Sequence, residues 1–194
     1  MDVGDEDVTS SPTLRVLGFT FSDTPTVNAH AELLVKRLRT RTWALSKLRR
    51  AGFNKKELVK FYCGAIRPVA EYASPAFHSL LPGYLSDKLE RQQSQALKNI
   101  YGTDISAGEM RRRADIQTLQ ERRESATLKF AEKALKNPRF KGWFPQRHRL
   151  ANTRTNRPFL KKVSRTDRNR NSPINYMIRA LNDHRQKTPV TNPL

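Results

Sequence analysis

Residues 61–101 read FYCGAIRPVAEYASPAFHSLLPGYLSDKLERQQSQALKNIY, with three of the chain's 11 prolines and its only cysteine, Cys63. Just before it, Asn54 and Glu57 stand at the spacing of a capping box, in which each side chain satisfies the other's backbone N–H. From there Leu58, Phe61, Tyr62, Ala65, Ile66 and Val69 recur every three or four residues, which predicts a helix with one apolar face. Pro68 falls inside that pattern. It has no N–H and restricts Arg67, so a kink or break is expected there. Pro75 and Pro82-Gly83 mark a turn region. A further helix is expected over about 86–101, with Leu89, Ala96, Leu97 and Ile100 inward and Gly102 as its stop.

Upstream, TLRVLGFTFS at residues 13–22 alternates apolar and polar, and the phase changes at Gly18. That predicts one short strand with a bulge or turn at the glycine, its pairing partners either missing or lying elsewhere. Asp23-Thr24-Pro25 is a helix-start signal. The helix after it is expected from about Val27 to Arg50. Ala31, Leu34, Leu38, Leu45 and Leu48 make its apolar stripe, and Ala51-Gly52 its end. Downstream, a helix is expected over about 115–136, with Ile116, Leu119, Ala126, Phe130 and Ala134 on one side and Asn137-Pro138 ending it.

After Asn137 the periodicity weakens, and Phe140, Trp143, Phe144 and Phe159 stand in basic, polar sequence. Such a stretch either drapes over the helices or folds on a partner. A short helix near 173–182 carries Ile174, Met177, Ile178 and Leu181 on one side. The expected division is therefore an acidic, disordered leader at 1–12, a strand-plus-helix body at 13–136 and a loosely ordered basic tail at 137–194.

Composition limits the role. Hydrophobic residues are 37% of the 194, below the ~45–50% of ordinary globular chains, so a core is expected over only part of the length. The net charge of +19 repels other copies and attracts polyanions, nucleic acid before an acidic membrane. Residues 137–194 carry fourteen basic and two acidic residues, while residues 1–12 carry only acids. A single cysteine excludes an internal disulfide framework and points to a reducing, intracellular compartment. No apolar run approaches the ~20 residues that span a bilayer, so no membrane partner is expected.

The chemistry of the side chains points away from catalysis. Polymerase-type metal chemistry needs converging carboxylates, and no Asp-Asp pair occurs in the sequence. Asp5-Glu6-Asp7 reads as a solvated charge run. His30, His78, His148 and His184 lack zinc spacing and read as surface or hydrogen-bonded histidines. Cys63 reads as a small buried hydrophobe. No catalytic residue, metal or cofactor is expected. The first helix, by contrast, carries seven cations and one acid, Glu32. Lys36, Arg37, Arg41 and Lys47 are the first candidates for phosphate contact, and Arg111, Arg112 and Arg113 the second.

The runs LGFTFS, WALSKLRRAGF, LVKFYCGAIRPVAEYASPAFHSLL and SDKLERQQSQALKNIYG together resemble the C-terminal part of non-LTR (LINE-type) retrotransposon reverse transcriptases, just beyond the polymerase palm. The resemblance covers about residues 14–182. In that family a strand with Leu-Gly, here Leu17-Gly18, leads out of the palm near the primer grip, and a helical thumb follows. The thumb's marker matches Arg67, Pro68, Val69, Glu71 and Tyr72, and a Lys-Leu-Glu-Arg-x-Gln segment matches Lys88, Leu89, Glu90, Arg91 and Gln93. Phe77 stands where many members have tryptophan. The fingers, the palm and the aromatic-x-Asp-Asp signature have no counterpart, so polymerase activity does not carry over.

What the resemblance implies is a mainly α-helical, four-helix thumb-like body with one short N-terminal β element. It would hold RNA, DNA or RNA–DNA hybrid against a palm and fingers supplied by a longer polyprotein. Within the marker, Arg67 and Glu71 are expected to pair four residues apart, and Tyr72 to pack over the helix at 86–101. Two other readings stay open: a basic interaction module for an acidic protein, and a retroelement relic without a cellular role.

Overall fold

The computed structural model describes residues 11–23, 26–146 and 158–187. It is mainly helical, with one two-stranded sheet. The single strand expected near the N-terminus is a hairpin. β1 (Thr13–Val16) pairs antiparallel with β2 (Phe19–Ser22), Val16 opposite Phe19. The turn is Leu17-Gly18, with φ of 48° and 82°. Positive φ at both central residues is the two-residue turn whose twist suits a hairpin, so the strand is its own neighbour's partner. The change of phase at Gly18 was the turn itself.

α1 (Asn28–Arg50) buries Ala31, Leu34, Val35, Leu38 and Leu45. Its N-cap is Val27, with no side-chain cap bond; Thr24 and Pro25 lie outside the described residues. Gly52, at φ 91°, closes its C-terminus as expected. α2 (Lys55–Phe61) starts with the full capping box of Asn54 and Glu57.

The expected kink at Pro68 takes a definite form. Residues Tyr62–Ile66 widen into a π-helical turn, and the Arg67 N–H bonds back to the Tyr62 carbonyl. α3 (Arg67–Glu71) then begins with Pro68 in its first turn, where the missing N–H leaves no hydrogen bond broken. Ala73, at φ 56°, reverses the chain into α4 (Ser74–Phe77).

α5 (Gly83–Tyr101) starts three residues earlier than the spacing predicts, directly after Pro82. α6 (Ala107–Ala114) was not expected; the Ser106 hydroxyl caps it by accepting from the Glu109 N–H. Asp115, expected to begin the next helix, is instead the left-handed C-cap of α6 at φ 52°. α7 (Leu119–Lys136) begins after it with a capping box of Thr118 and Glu121.

One apolar cluster joins α1, α2, the π-turn, α3, Phe77, α5 and α6, and ends at Leu119. A second is built on the later half of α7: Ala131 and Ala134 meet Phe144, Phe159, Met177, Ile178 and Leu181. α8 (Asp167–Arg170) leads into α9 (Pro173–Lys187), the helix expected near 173–182. The aromatics after Asn137 therefore drape over α7, and α7 is a wall of both clusters.

Candidate nucleic-acid interface

α1 and α5 pack side by side and run in the same direction. Lys88 meets Glu32 at 3.1 Å near their starts, and the Asn99 amide donates to the Thr42 carbonyl at 3.3 Å further along. Arg49 donates to the Asn99 carbonyl at 2.9 Å. Both helices turn their apolar residues into the same cluster, so their exposed stripes open together on the opposite side.

At about 100° per residue, Lys36, Arg39, Trp43, Lys47 and Arg50 fall within roughly a quarter-turn of one another on α1, and all are exposed. The matching stripe on α5 is Tyr84, Arg91, Gln95 and Lys98, also exposed. Six of these side chains are cations. The acids nearby are Glu32, held by Lys88, and the exposed Asp87. Trp43 is 62% and Tyr84 54% exposed. Each has a lysine over its ring, Lys47 at 4.9 Å and Lys88 at 5.5 Å. Cations alternating with open aromatic rings suit phosphates and the bases beside them.

The structure splits the first group of expected contacts. Lys36 and Lys47 lie on this face. Arg41 lies on the flank, where its guanidinium donates to the Ala65 carbonyl of the π-turn. Arg37, half-buried on the same flank, is close enough to help hold the His30 imidazole in its neutral form. Arg39, Arg50, Arg91 and Lys98 were absent from the expected contacts. For Arg39 and Arg50 the sequence signal was the three- and four-residue spacing through Lys36, Arg39, Trp43, Lys47 and Arg50. In the second group, Arg112 and Arg113 both bind one carboxylate, Glu109, at 2.6 and 2.7 Å. Those bonds hold the Glu109 carboxyl below the usual carboxylate range. Arg111 is half-buried.

The marker residues serve the scaffold. Arg67 stands 3.5 Å from Glu71 in the expected pair, and Arg122 of α7 adds a two-pronged grip on the same carboxylate. Tyr72 does not pack over α5. Its hydroxyl donates to the Leu17 carbonyl at 2.6 Å, and a Cβ on Gly18 would lie 3.4 Å from its ring. The Leu-Gly turn and the Arg-Pro-Val-x-Glu-Tyr segment are thus halves of one contact. Leu89 is fully buried. Glu90 accepts from the Leu119 and Gln120 N–H groups at 3.2 and 2.7 Å, an anion at a helix N-terminus. Gln93, 2% exposed, accepts from Leu119 and donates to the Gln117 carbonyl. The Lys-Leu-Glu-Arg-x-Gln segment thus docks the start of α7 onto α5 and leaves Arg91 outward.

His30 is buried, His78 is half-buried, and both are hydrogen-bonded. The Thr20 N–H donates to His30 Nδ1 at 3.3 Å, and the ring stacks on Phe19 at 4.1 Å. Burial first, and Arg37 second, push its pKa down to about 4. His78 Nε2 lies 3.2 Å from the Tyr176 hydroxyl, joining α9 to the body; burial again lowers its pKa. Arg123 was not expected inside, yet it is fully buried on α7 and donates to the Ser86 hydroxyl at 2.9 Å. Cys63 is half-buried against the first cluster.

Among the described residues no three or more His, Cys, Asp or Glu side chains group as metal ligands, and no helix is long and apolar enough to cross a membrane. Asp5-Glu6-Asp7 and His148 lie outside the described residues. Comparison with protein-family models, with curated proteins and with solved structures yields no significant match.

Proposed function

We propose that the chain is a non-catalytic, thumb-like piece of a non-LTR reverse transcriptase that holds template–primer nucleic acid through the α1–α5 face. The observation that carries this is the arrangement on that face: six exposed cations and two open aromatic rings on parallel helices, with Glu32 neutralised by Lys88. Phosphates meet the cations without regard to sequence, and the rings stack on any base. The hairpin adds support for the origin. Leu14, Leu17 and Phe21 are 63%, 87% and 50% exposed, an apolar edge suited to the palm from which a Leu-Gly strand emerges in that family.

The test is a binding titration against RNA–DNA hybrid at rising salt, competed by heparin and by an acidic peptide. Saturable binding that heparin displaces and the peptide does not is the expected result. Absence of saturable binding at low salt, or equal displacement by both, defeats the proposal.

A further inference from the structure

Beside α9, and separate from the α1–α5 face, lies a pocket of about 250 Å³ lined by Lys161, Lys162, Ser164, Arg170, Asn175 and Arg179. Four of the six lining residues are cations. The acid at its edge, Asp167, is 85% exposed and pairs with Arg170 at 2.9 Å. Such crowding of like charge is unfavourable without an anion between the cations.

The pocket is built rather than draped. Asn175 is 7% exposed. Its Nδ2 donates to the Asn169 carbonyl at 2.7 Å and to Ser164 Oγ at 3.3 Å. Arg179 donates to the Arg170 carbonyl and to Asn171 Oδ1. These bonds pin residues 164–171 onto α9 and hold Arg170 and Arg179 beside the cavity. The carbonyl at 2.7 Å also fixes the amide's orientation, because a flipped Asn175 would set oxygen against oxygen. Among the described residues its Oδ1 is therefore left buried and without a donor.

We propose that this pocket is a second phosphate site, which takes a backbone phosphate of a nucleic-acid strand. It shares a ligand class with the function proposed above but rests on different residues, and either site can fail without the other. Lys161 and Lys162 supply the mobile charge. Arg170 and Arg179, already oriented, supply the fixed donors.

The experiment uses the full chain, with inorganic pyrophosphate and a short oligonucleotide as probes. It compares wild type with a Lys161→Gln/Lys162→Gln variant and with a Lys36→Gln/Arg39→Gln variant. Both pairs are exposed, so folding is expected to survive, and thermal denaturation checks that. Saturable pyrophosphate binding that weakens about tenfold in the first variant and is unchanged in the second supports the site. In the same variant the slope of log affinity for the oligonucleotide against log salt should fall by about one to two. Equal pyrophosphate binding by wild type and the Lys161/Lys162 variant overturns the site. Loss of pyrophosphate binding without any change in oligonucleotide affinity overturns the strand as its ligand.

Discussion

Replacing Glu71 with alanine should destabilise the fold far more than removing its near neighbour Arg67. Glu71 is 19% exposed and takes two hydrogen bonds from the Arg122 guanidinium, itself 32% exposed. The Arg67 contact is a single 3.5 Å approach within one helix. Hydrogen bonds to charged groups contribute about 1.5–3 kcal/mol, and loss of a fully buried partner costs 3–5. Arg122 regains some water when unpaired, so Glu71→Ala should cost about 2 kcal/mol. Arg67→Ala should cost about 0.5 kcal/mol, the scale of a helical i,i+4 pair. For a chain of this size those losses lower Tm by roughly 4–8 °C and 1–2 °C. The assay is urea and thermal denaturation of both variants, with a Glu71/Arg122 double-mutant cycle. A coupling of at least about 1 kcal/mol is expected. A coupling within the ~0.5 kcal/mol of independent sites would refute the grip. An Arg67→Ala variant that is fully stable but weak on hybrid would make Arg67 a ligand contact instead.

Acid should destabilise the protein through His30. Its folded pKa of about 4 lies below the unfolded 6.5, so the unfolded chain binds the extra proton in between. The stabilisation is complete above pH 6.5 and is lost as pH falls towards 4. At about 1.36 kcal/mol per pKa unit, the loss between pH 7 and pH 5 is about 2 kcal/mol, and His30→Gln should flatten that slope in denaturation series. An unchanged slope would show that His30 titrates normally. At the hairpin turn, Leu17→Asn should stabilise by about 0.5–1 kcal/mol, because leucine at φ 48° is disfavoured where asparagine is at ease. Gly18→Ala should cost about 1–2 kcal/mol at φ 82°; denaturation midpoints in the opposite order would contradict the turn geometry.

Much of the helical body was legible in the sequence, because caps and apolar spacing act locally. Asn54/Glu57, Gly52 and Gly102 stand where the chain changes direction. The hairpin was half-legible: alternation gave the strand pattern and Gly18 a bulge or turn, but a Leu-Gly turn lacks the Asn-Gly signal, so the two halves were not read as each other's partners. α6 was missed because its eight residues bury only Met110. The interface was legible as charge but not as position. A count of cations cannot tell Arg39, which faces outward, from Arg41, which spends its guanidinium on Ala65. Nor does sequence spacing show that α1 and α5 run in the same direction, which is what joins Arg91 and Lys98 to Lys36 and Lys47. Tyr72's bond to Leu17 spans 55 residues, and no local pattern reports a contact that distant.

The most direct measurement is the salt dependence of hybrid binding by wild type and by a Lys36→Gln/Arg39→Gln/Arg91→Gln/Lys98→Gln variant. A Lys129→Gln/Lys133→Gln/Lys136→Gln variant on α7 serves as the control. Each phosphate contact contributes about 0.9 to the slope of log affinity against log salt, so the four changes on the α1–α5 face should lower it by about three to four and the α7 changes by less than one. Equal slopes in all three proteins, or an equal fall in both variants, would contradict the assignment of nucleic-acid binding to that face.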